Sequence, residues 1–158
     1  TMTLTSMTFM ILVGAAAFGL VFRGMGGDNV LTNLILTNSV EPHHFLVIVM
    51  ILIFIAGFFI DFIEITFIIV PVVAPIFVHL GIDLLWIGVL IAVNLQTSFL
   101  TPPFGFSLFY LRGVAPPSIS TGTIYRGAVP FIGIQLVVLL LLWFFPQLVT
   151  WLPNSVYN

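Results

Sequence analysis

The sequence contains no cysteine and no lysine, and charged residues of any kind make up only 5% of its 158 residues. Without cysteine, the chain can form neither a disulfide nor a thiolate nucleophile. A soluble domain carries about 25% charged residues, so three basic and five acidic residues exclude a water-soluble fold. The net charge of −2 excludes the basic surface that a nucleic-acid-binding protein needs.

What the chain does have is apolar surface, because 61% of its residues are hydrophobic and its mean hydropathy is +1.30. Long apolar runs of this kind predict an all-α integral membrane protein in contact with the lipid bilayer. Thr1 leads directly into an apolar run with no basic region before it. We therefore expect no signal peptide here, and we expect that upstream sequence is missing.

The hydropathy pattern divides the chain into six segments. We predict a transmembrane helix at 3–23, an interfacial helix at 28–39, a re-entrant hairpin at 44–80, a broken transmembrane helix at 84–112, a cytoplasmic loop at 113–126 and a transmembrane helix at 127–152. The interfacial helix lacks the usual basic residues, so a plain connecting loop is an alternative there.

The hairpin prediction depends on length. Residues 45–60 and 65–80 are apolar stretches of 16 residues each, and a helix of that length reaches only about 24 Å at ~1.5 Å per residue. Neither crosses a ~30 Å hydrocarbon core comfortably. Two short helices meeting at a polar tip near 57–64 fit better. The alternative is one spanning helix followed by a connection broken at Pro71 and Pro75.

Two carboxylates, Asp61 and Glu64, lie near the centre of this apolar region. A carboxylate at bilayer depth costs at least ~2.5 kcal/mol and usually faces the protein interior or water. A functional interpretation is cation binding or proton relay, and the alternative is a tip near the surface with both acids solvated. We favour function for Asp61 and leave Glu64 open.

The fourth segment contains the run Thr101-Pro102-Pro103-Phe104-Gly105. The two prolines remove two backbone donors, and Gly105 permits backbone conformations that other residues avoid. Irregular backbone at membrane depth is tolerated where it is buried or lines a wet cavity, and transporters use such breaks to bind ions. The alternative is a proline kink that only shapes packing.

A dense polar run precedes this break and consists of Asn94, Gln96, Thr97, Ser98 and Thr101. Each of these groups needs a hydrogen-bond partner when it is buried. Hydrogen bonding between helices explains Ser98, whereas we place Asn94 and Thr101 near a binding site.

The adjacent histidines His43 and His44 do not predict a metal centre. A metal site needs a third ligand that converges on the same point, and neighbouring side chains on a helix diverge. We interpret these residues, together with Glu41, as polar caps of the next helix at the membrane surface.

Three stretches resemble one transporter family. Residues 94–115 (NLQTSFLTPPFGFSLFYLRGVA) closely resemble the signature near the end of the large membrane subunit of tripartite ATP-independent periplasmic (TRAP) transporters. Residues 57–61 (GFFID), followed by Pro71 and Pro75, resemble the preceding hairpin of that family, and residues 124–131 resemble the entry to its final helix. The resemblance covers essentially the whole chain.

The resemblance implies a fold and a function. The fold is the second inverted repeat of an elevator-type transporter, and the function is sodium-coupled import of organic acids through the inner membrane. The implied partners are a periplasmic substrate-binding protein and a small membrane subunit, with sodium as coupling ion, no cofactor and no enzymatic activity. An unrelated carrier or channel without a soluble partner is the alternative. A membrane enzyme would need a nucleophile–base pair or metal ligands at depth.

The resemblance also implies site residues. Cation binding is expected at the hairpin tip and the break, at Gly57, Asp61, Thr101, Pro102, Pro103 and Gly105. The substrate is expected to contact Asn94, Thr97 and Phe104. The chain departs from the family at residues 62–65, where Phe-Ile-Glu-Ile replaces the small residues that often follow the aspartate. This departure argues against a simple assignment to dicarboxylates.

The arginines predict the orientation. Arg112 and Arg126 flank one polar loop, and basic loops stay in the cytoplasm. The carboxyl terminus then faces outward, and Arg23, which this topology also places outside, is the one discordant charge.

Overall fold

A computed structural model of the protein describes residues 2–37, 41–102, 105–116 and 118–157, and every regular element in these ranges is helical. The elements are α1 (Met2–Gly24), α2 (Gly27–Thr37), α3 (Pro42–Ala56), α4 (Phe62–Glu64), a π-helical turn (Ile65–Ile69), α5 (Val70–His79), α6 (Leu84–Leu100), α7 (Phe106–Val114), α8 (Thr121–Phe144) and α9 (Gln147–Tyr157).

The chain divides into two compact units. Unit 1 comprises Thr1–Val49 and Ile60–Leu84, and unit 2 comprises Met50–Phe59 and Leu85–Asn158. Helix α3 therefore contributes its first half to unit 1 and its end to unit 2. Within the described residues, Phe62–His79 and α8 are long and apolar enough to cross a membrane, whereas Phe9–Gly24, α3 and α6 are shorter apolar helices.

Within unit 1, the start of α3 contacts the end of α5. The rings of Phe45 and Phe77 lie with their centroids 5.1 Å apart, and Phe77 is fully buried. The chain leaves regular helix between α3 and α4. The re-entrant hairpin predicted at 44–80 stays a prediction.

The alternative of a proline-broken connection at Pro71 and Pro75 is wrong, because the chain is helical from Phe62 to His79. Pro71 follows a π-helical turn in which the N–H of Val70 donates to the carbonyl of Ile65. It lies in the first turn of α5, inside a helix that already began at Phe62. Pro75 lies inside α5.

Pro75 has one clear consequence for its helix. It has no N–H to donate to the carbonyl of Pro71, four residues earlier. The guanidinium of Arg23, at the end of α1, donates to this carbonyl over 3.4 Å. Arg23, the discordant charge of the topology prediction, therefore supplies a donor that the helix itself lacks.

Within unit 2, α7 and α8 pack together around Leu108, Ile124 and Ala128, all of which are buried. The hydroxyl of Ser120 accepts from the N–H of Thr123 over 3.2 Å, which satisfies an N–H of the first turn of α8.

Two predicted boundaries are wrong in this region. The loop predicted at 113–126 is shorter, because α7 continues to Val114 and α8 begins at Thr121 behind its cap. The transmembrane helix predicted at 127–152 is two helices, α8 and α9, which separate at Phe145 and Pro146. Pro146 has no N–H to continue α8. The other helices begin and end within a few residues of the predicted segments.

Trp86 compensates for Pro146. The missing N–H of Pro146 would have bonded to the carbonyl of Leu142, and the indole N–H of Trp86 donates to that carbonyl over 2.7 Å. The ring of Trp86 also lies 6.2 Å from that of Trp143. With only 7% of its surface exposed, Trp86 joins α6 to the end of α8.

We predict that Trp86→Phe destabilises the protein by about 1–3 kcal/mol, because the carbonyl of Leu142 loses its donor. The measurement is the midpoint of thermal unfolding in detergent. Trp151→Phe is the matched control, since Trp151 is 69% exposed and its replacement should leave the midpoint nearly unchanged. In a Pro146→Ala background the new N–H replaces the indole, so the effect of Trp86→Phe should shrink. An equal effect in both backgrounds would contradict this explanation.

Candidate functional site

The break between α6 and α7 repairs part of its own hydrogen bonding. Pro102 cannot donate to the carbonyl of Ser98, and the N–H of Thr101 shifts by one residue to bond it over 3.1 Å. That shift leaves the carbonyl of Thr97 without the N–H of Thr101. The carbonyl accepts instead from the hydroxyl of Thr101 over 2.7 Å. The carbonyl that Pro102 leaves and the carbonyl that the shift leaves therefore both have donors.

Two other carbonyls lie close together beside Gly105. A Cβ at this position would lie 2.7 Å from the carbonyl oxygen of Phe99 and 3.2 Å from that of Thr101. The backbone of Gly105 has a φ of 20° and a ψ of 94°, a conformation that favours glycine. Position 105 thus excludes a side chain both by its conformation and by the two oxygens beside it.

The carbonyl of Gly105 serves a different purpose. It accepts from the N–H groups of Leu108 over 2.8 Å and Phe109 over 3.1 Å, and it therefore starts α7. Gly105 contributes space and conformation to the break, while Phe99 and Thr101 contribute the oxygens. Phe99 was not among the site residues predicted from the sequence.

The hairpin tip touches α6 through Gly57. A Cβ at Gly57 would lie 2.2 Å from the hydroxyl oxygen of Ser98 and 3.0 Å from its Cβ. Ser98 is fully buried, and its hydroxyl donates to the carbonyl of Leu95 over 2.8 Å. Gly57 is therefore required for close packing, and it lies against the last turn of α6 before the break. The predicted hydrogen bond from Ser98 to another helix is wrong, because its hydroxyl bonds Leu95 within α6. Ser98 is instead the residue against which Gly57 packs.

Asp61 caps the next helix. Its Oδ1 accepts from the N–H of Phe62 over 2.7 Å, and its carbonyl accepts from the N–H of Ile65 over 3.1 Å. A carboxylate at a helix amino terminus is favoured by the exposed N–H groups and by the helix dipole. Asp61 belongs to unit 1, whereas Gly57 and the break belong to unit 2. Glu64 lies in the same first turn and is half-buried.

Asn94 and Thr97 are buried polar groups, 3% and 1% exposed. The amide of Asn94 donates to the carbonyl of Met50 over 2.8 Å, which joins α6 to the end of α3 within unit 2. The hydroxyl of Thr97 donates to the carbonyl of Val93 over 2.8 Å. These bonds pair one amide hydrogen of Asn94 and the hydroxyl hydrogen of Thr97 with backbone carbonyls.

The structure therefore groups most of the predicted site residues in one unit. Unit 2 contains Gly57, Asn94, Thr97, Thr101, Pro102 and Gly105. Pro103 and Phe104 lie outside the described residues. The roles predicted for all of these residues in ion and substrate binding stay predictions.

The histidine pair lies on the surface. Nδ1 of His44 is 3.4 Å from a carboxylate oxygen of Glu41, and both side chains are 73% exposed. Among the described residues, no group of three or more His, Cys, Asp or Glu side chains could hold a metal ion.

Comparison with known proteins identifies the family. Residues 1–148 match the family described as tripartite ATP-independent periplasmic transporter, DctM component. The C4-dicarboxylate TRAP transporter large permease protein DctM of Vibrio cholerae is 30% identical over 151 residues, which cover 96% of this chain and 33% of that protein.

Two further relatives differ in the substrates that their names state. The sialic acid TRAP transporter permease protein SiaT of Haemophilus influenzae is 37% identical over 114 residues, or 72% of this chain and 18% of that protein. The ectoine/5-hydroxyectoine TRAP transporter large permease protein UehC of Ruegeria pomeroyi is 28% identical over 155 residues, or 98% and 36%. The chain spans about a third or less of the length of these relatives. It belongs to the DctM family of TRAP transporter permeases.

Proposed function

We propose that this chain forms part of the permease subunit of a sodium-coupled secondary transporter that imports organic acids. A periplasmic binding protein delivers the substrate, a small membrane subunit supports the permease, and all membrane parts lie in the inner membrane. The chain supplies the second inverted repeat, with a re-entrant hairpin and a broken transmembrane helix, and moves by an elevator mechanism. It is not an enzyme.

The family membership supports the transporter and its class of partners. The relatives' names refer to C4-dicarboxylates, to sialic acid and to ectoine, which supports a small organic solute and favours no single one. Transport without a soluble partner, by an unrelated carrier or channel, is not favoured by any of the relatives.

The observation that carries the ion-binding proposal is the pair of carbonyl oxygens beside Gly105. Hard cations prefer oxygen ligands, and the carbonyls of Phe99 and Thr101 approach one small space that no side chain can occupy. The hydroxyl of Thr101 donates its hydrogen to Thr97, so its lone pairs are directed elsewhere. We assign the sodium site to this break, with Pro102 and Pro103 keeping the backbone out of helical conformation.

The substrate site is proposed beside the same break. Helix α7 begins at Phe106, directly after Gly105, and the amino termini of half-helices in transporters face anionic substrate groups. Thr97 and Asn94 lie about one and two turns before the break on α6, and Phe104 precedes α7. A carboxylate at this end of α7 would meet the first N–H groups of the helix, those of Phe106 and Ser107.

We predict that Gly105→Ala raises the sodium concentration needed for half-maximal uptake by about tenfold or more, a loss of about 1.4 kcal/mol of binding free energy. The new Cβ would push the carbonyls of Phe99 and Thr101 apart. The assay is sodium-dependent uptake by the complete transporter in proteoliposomes. Gly88→Ala is the matched control, because its Cβ would meet no atom within 4 Å.

The sodium proposal would be overturned if Gly105→Ala transported with unchanged sodium dependence. Thr101 supplies a second test with a conservative partner. Thr101→Val should impair sodium dependence, Thr101→Ser should restore it, and Thr150→Val should be harmless. Thr150, in α9, is a suitable control because its hydroxyl also donates to a carbonyl four residues earlier, that of Pro146.

We predict that Asp61→Asn and Asp61→Ala separate two roles of this carboxylate. Asparagine caps a helix about as well as aspartate, so a residue that only caps α4 tolerates Asn and loses about 1 kcal/mol of stability with Ala. A sodium ligand responds to the loss of charge in both variants. We expect both variants to need more sodium for uptake, and normal sodium dependence in Asp61→Asn would assign Asp61 to capping alone.

We predict that single cysteines at Ser118 and Asn154 react with impermeant maleimide from opposite sides of the membrane. Both positions are exposed and the chain has no native cysteine. Arg112 lies in the last turn of α7 and Arg126 near the start of α8. These two basic residues flank the loop, so Ser118 should react only after the inner face is opened. Labelling of Ser118 in intact cells with an accessible periplasm would reverse the proposed orientation.

A further inference from the structure

Helix α9 begins at a defined depth. It follows α8 after only two residues, Phe145 and Pro146. Helix α8 has 24 residues and is about 36 Å long at ~1.5 Å per residue, which exceeds a ~30 Å hydrocarbon core. When α8 spans the bilayer, as the proposed function requires, its carboxyl end has therefore reached the headgroup region. Helix α9 has 11 residues and is too short to cross back.

One side of α9 is an exposed apolar surface. Four residues at helical spacing form it and are 59–69% exposed, and we call them the α9 stripe: Leu148, Trp151, Leu152 and Val156. The neighbouring side is polar and exposed, with Gln147 and Asn154. The remaining side, formed by Val149, Thr150 and Pro153, is half-buried. The helix thus presents separate apolar and polar faces outside its own protein contacts.

The hydrogen bonding of α9 is consistent with a position in the headgroup region. Ser155 lies on the same side of the helix as the α9 stripe. Its hydroxyl donates to the carbonyl of Trp151 over 2.9 Å, so it presents no unpaired donor there. Pro153 has no N–H to give to the carbonyl of Val149. Water in the headgroup region can donate to such a carbonyl, whereas hydrocarbon cannot.

We propose that α9 is a surface anchor that lies along the membrane interface, with the α9 stripe inserted at the boundary of headgroups and acyl chains. The partner of this stripe is the phospholipid surface. Trp151 fits this depth because an indole has an apolar ring and a polar N–H, and tryptophan is enriched at membrane interfaces. The anchor fixes the depth at which α8 ends.

The anchor does not depend on lipid charge. No residue from 127 to 158 has a charged side chain, whereas interfacial helices usually carry lysine and arginine that attract anionic lipids. Apolar burial alone must hold α9, so phosphatidylcholine should serve as well as phosphatidylglycerol. This property distinguishes the stripe from a site for a specific anionic lipid.

The test uses nitroxide labels in the full-length permease, stripped of any other cysteine and reconstituted into vesicles. Labels on Leu148→Cys and Leu152→Cys report on the α9 stripe, and labels on Gln147→Cys and Asn154→Cys are the matched controls on the polar side. Oxygen concentrates in hydrocarbon and a water-soluble nickel chelate stays in water, so the two relaxing agents report opposite sides of the interface.

We expect oxygen, and not the nickel chelate, to broaden the spectra of the two stripe labels. The nickel chelate should broaden the spectra of the two labels on the polar side. Both results should hold in phosphatidylcholine and in phosphatidylglycerol vesicles. Stripe labels closed to both agents would mean that protein covers the stripe, and stripe labels open to nickel would mean that α9 lies in water. Oxygen effects without nickel effects on all four labels would place α9 within the hydrocarbon. Each of these results overturns the proposal, as would the expected pattern appearing in phosphatidylglycerol alone.

The accessibility test of α9 is independent of the uptake test of the proposed ion site. Uptake measured against sodium reports the break, whereas label accessibility reports the depth of α9 and needs no transport. Unchanged sodium dependence in Gly105→Ala, together with the expected label pattern on α9, would count against the ion site alone.

Discussion

The need of backbone carbonyls for hydrogen-bond donors is the constraint on which this structure depends. In water, a carbonyl that a proline leaves without its helical donor is solvated, but at membrane depth the protein must supply the donor. The indole of Trp86 does so for Leu142, and the guanidinium of Arg23 does so for Pro71. Each repair also ties two helices together, since donor and acceptor lie on different elements. The prolines thus create attachment points as well as breaks.

The break between α6 and α7 follows the same rule with a different result. Thr101 uses its N–H and its hydroxyl to satisfy the carbonyls of Ser98 and Thr97, so α6 keeps its hydrogen bonding to the end. The carbonyl oxygens of Phe99 and Thr101 both lie beside Gly105, at 2.7 Å and 3.2 Å from the position that a Cβ would take there. The break therefore brings two backbone oxygens to one small space.

Effects between near neighbours in the sequence could be predicted, whereas contacts between residues far apart in the sequence could not. Proline and glycine act within four residues of themselves, so the irregular backbone after α6 and the turn near Gly57 could be read from the sequence alone. The contact of Trp86 with α8 could not be predicted, because its acceptor, the carbonyl of Leu142, is 56 residues away in the sequence. The donor role of Arg23 could not be predicted for the same reason, since Pro71 is 48 residues away. The division of the last segment at Pro146 was missed because apolar residues continue on both sides of it.

In the proposed function, the two carbonyl oxygens beside Gly105 let a bound ion act on conformation as well as on affinity. Carbonyl oxygens that lie near each other repel, and a cation between them turns that repulsion into attraction. Sodium would therefore stabilise the backbone at Thr101 and Gly105, and with it the start of α7, which depends on the carbonyl of Gly105. The amino terminus of α7 is the end proposed to meet the substrate. Ion binding and substrate binding would then share one backbone segment, and their coupling requires no longer path through the protein.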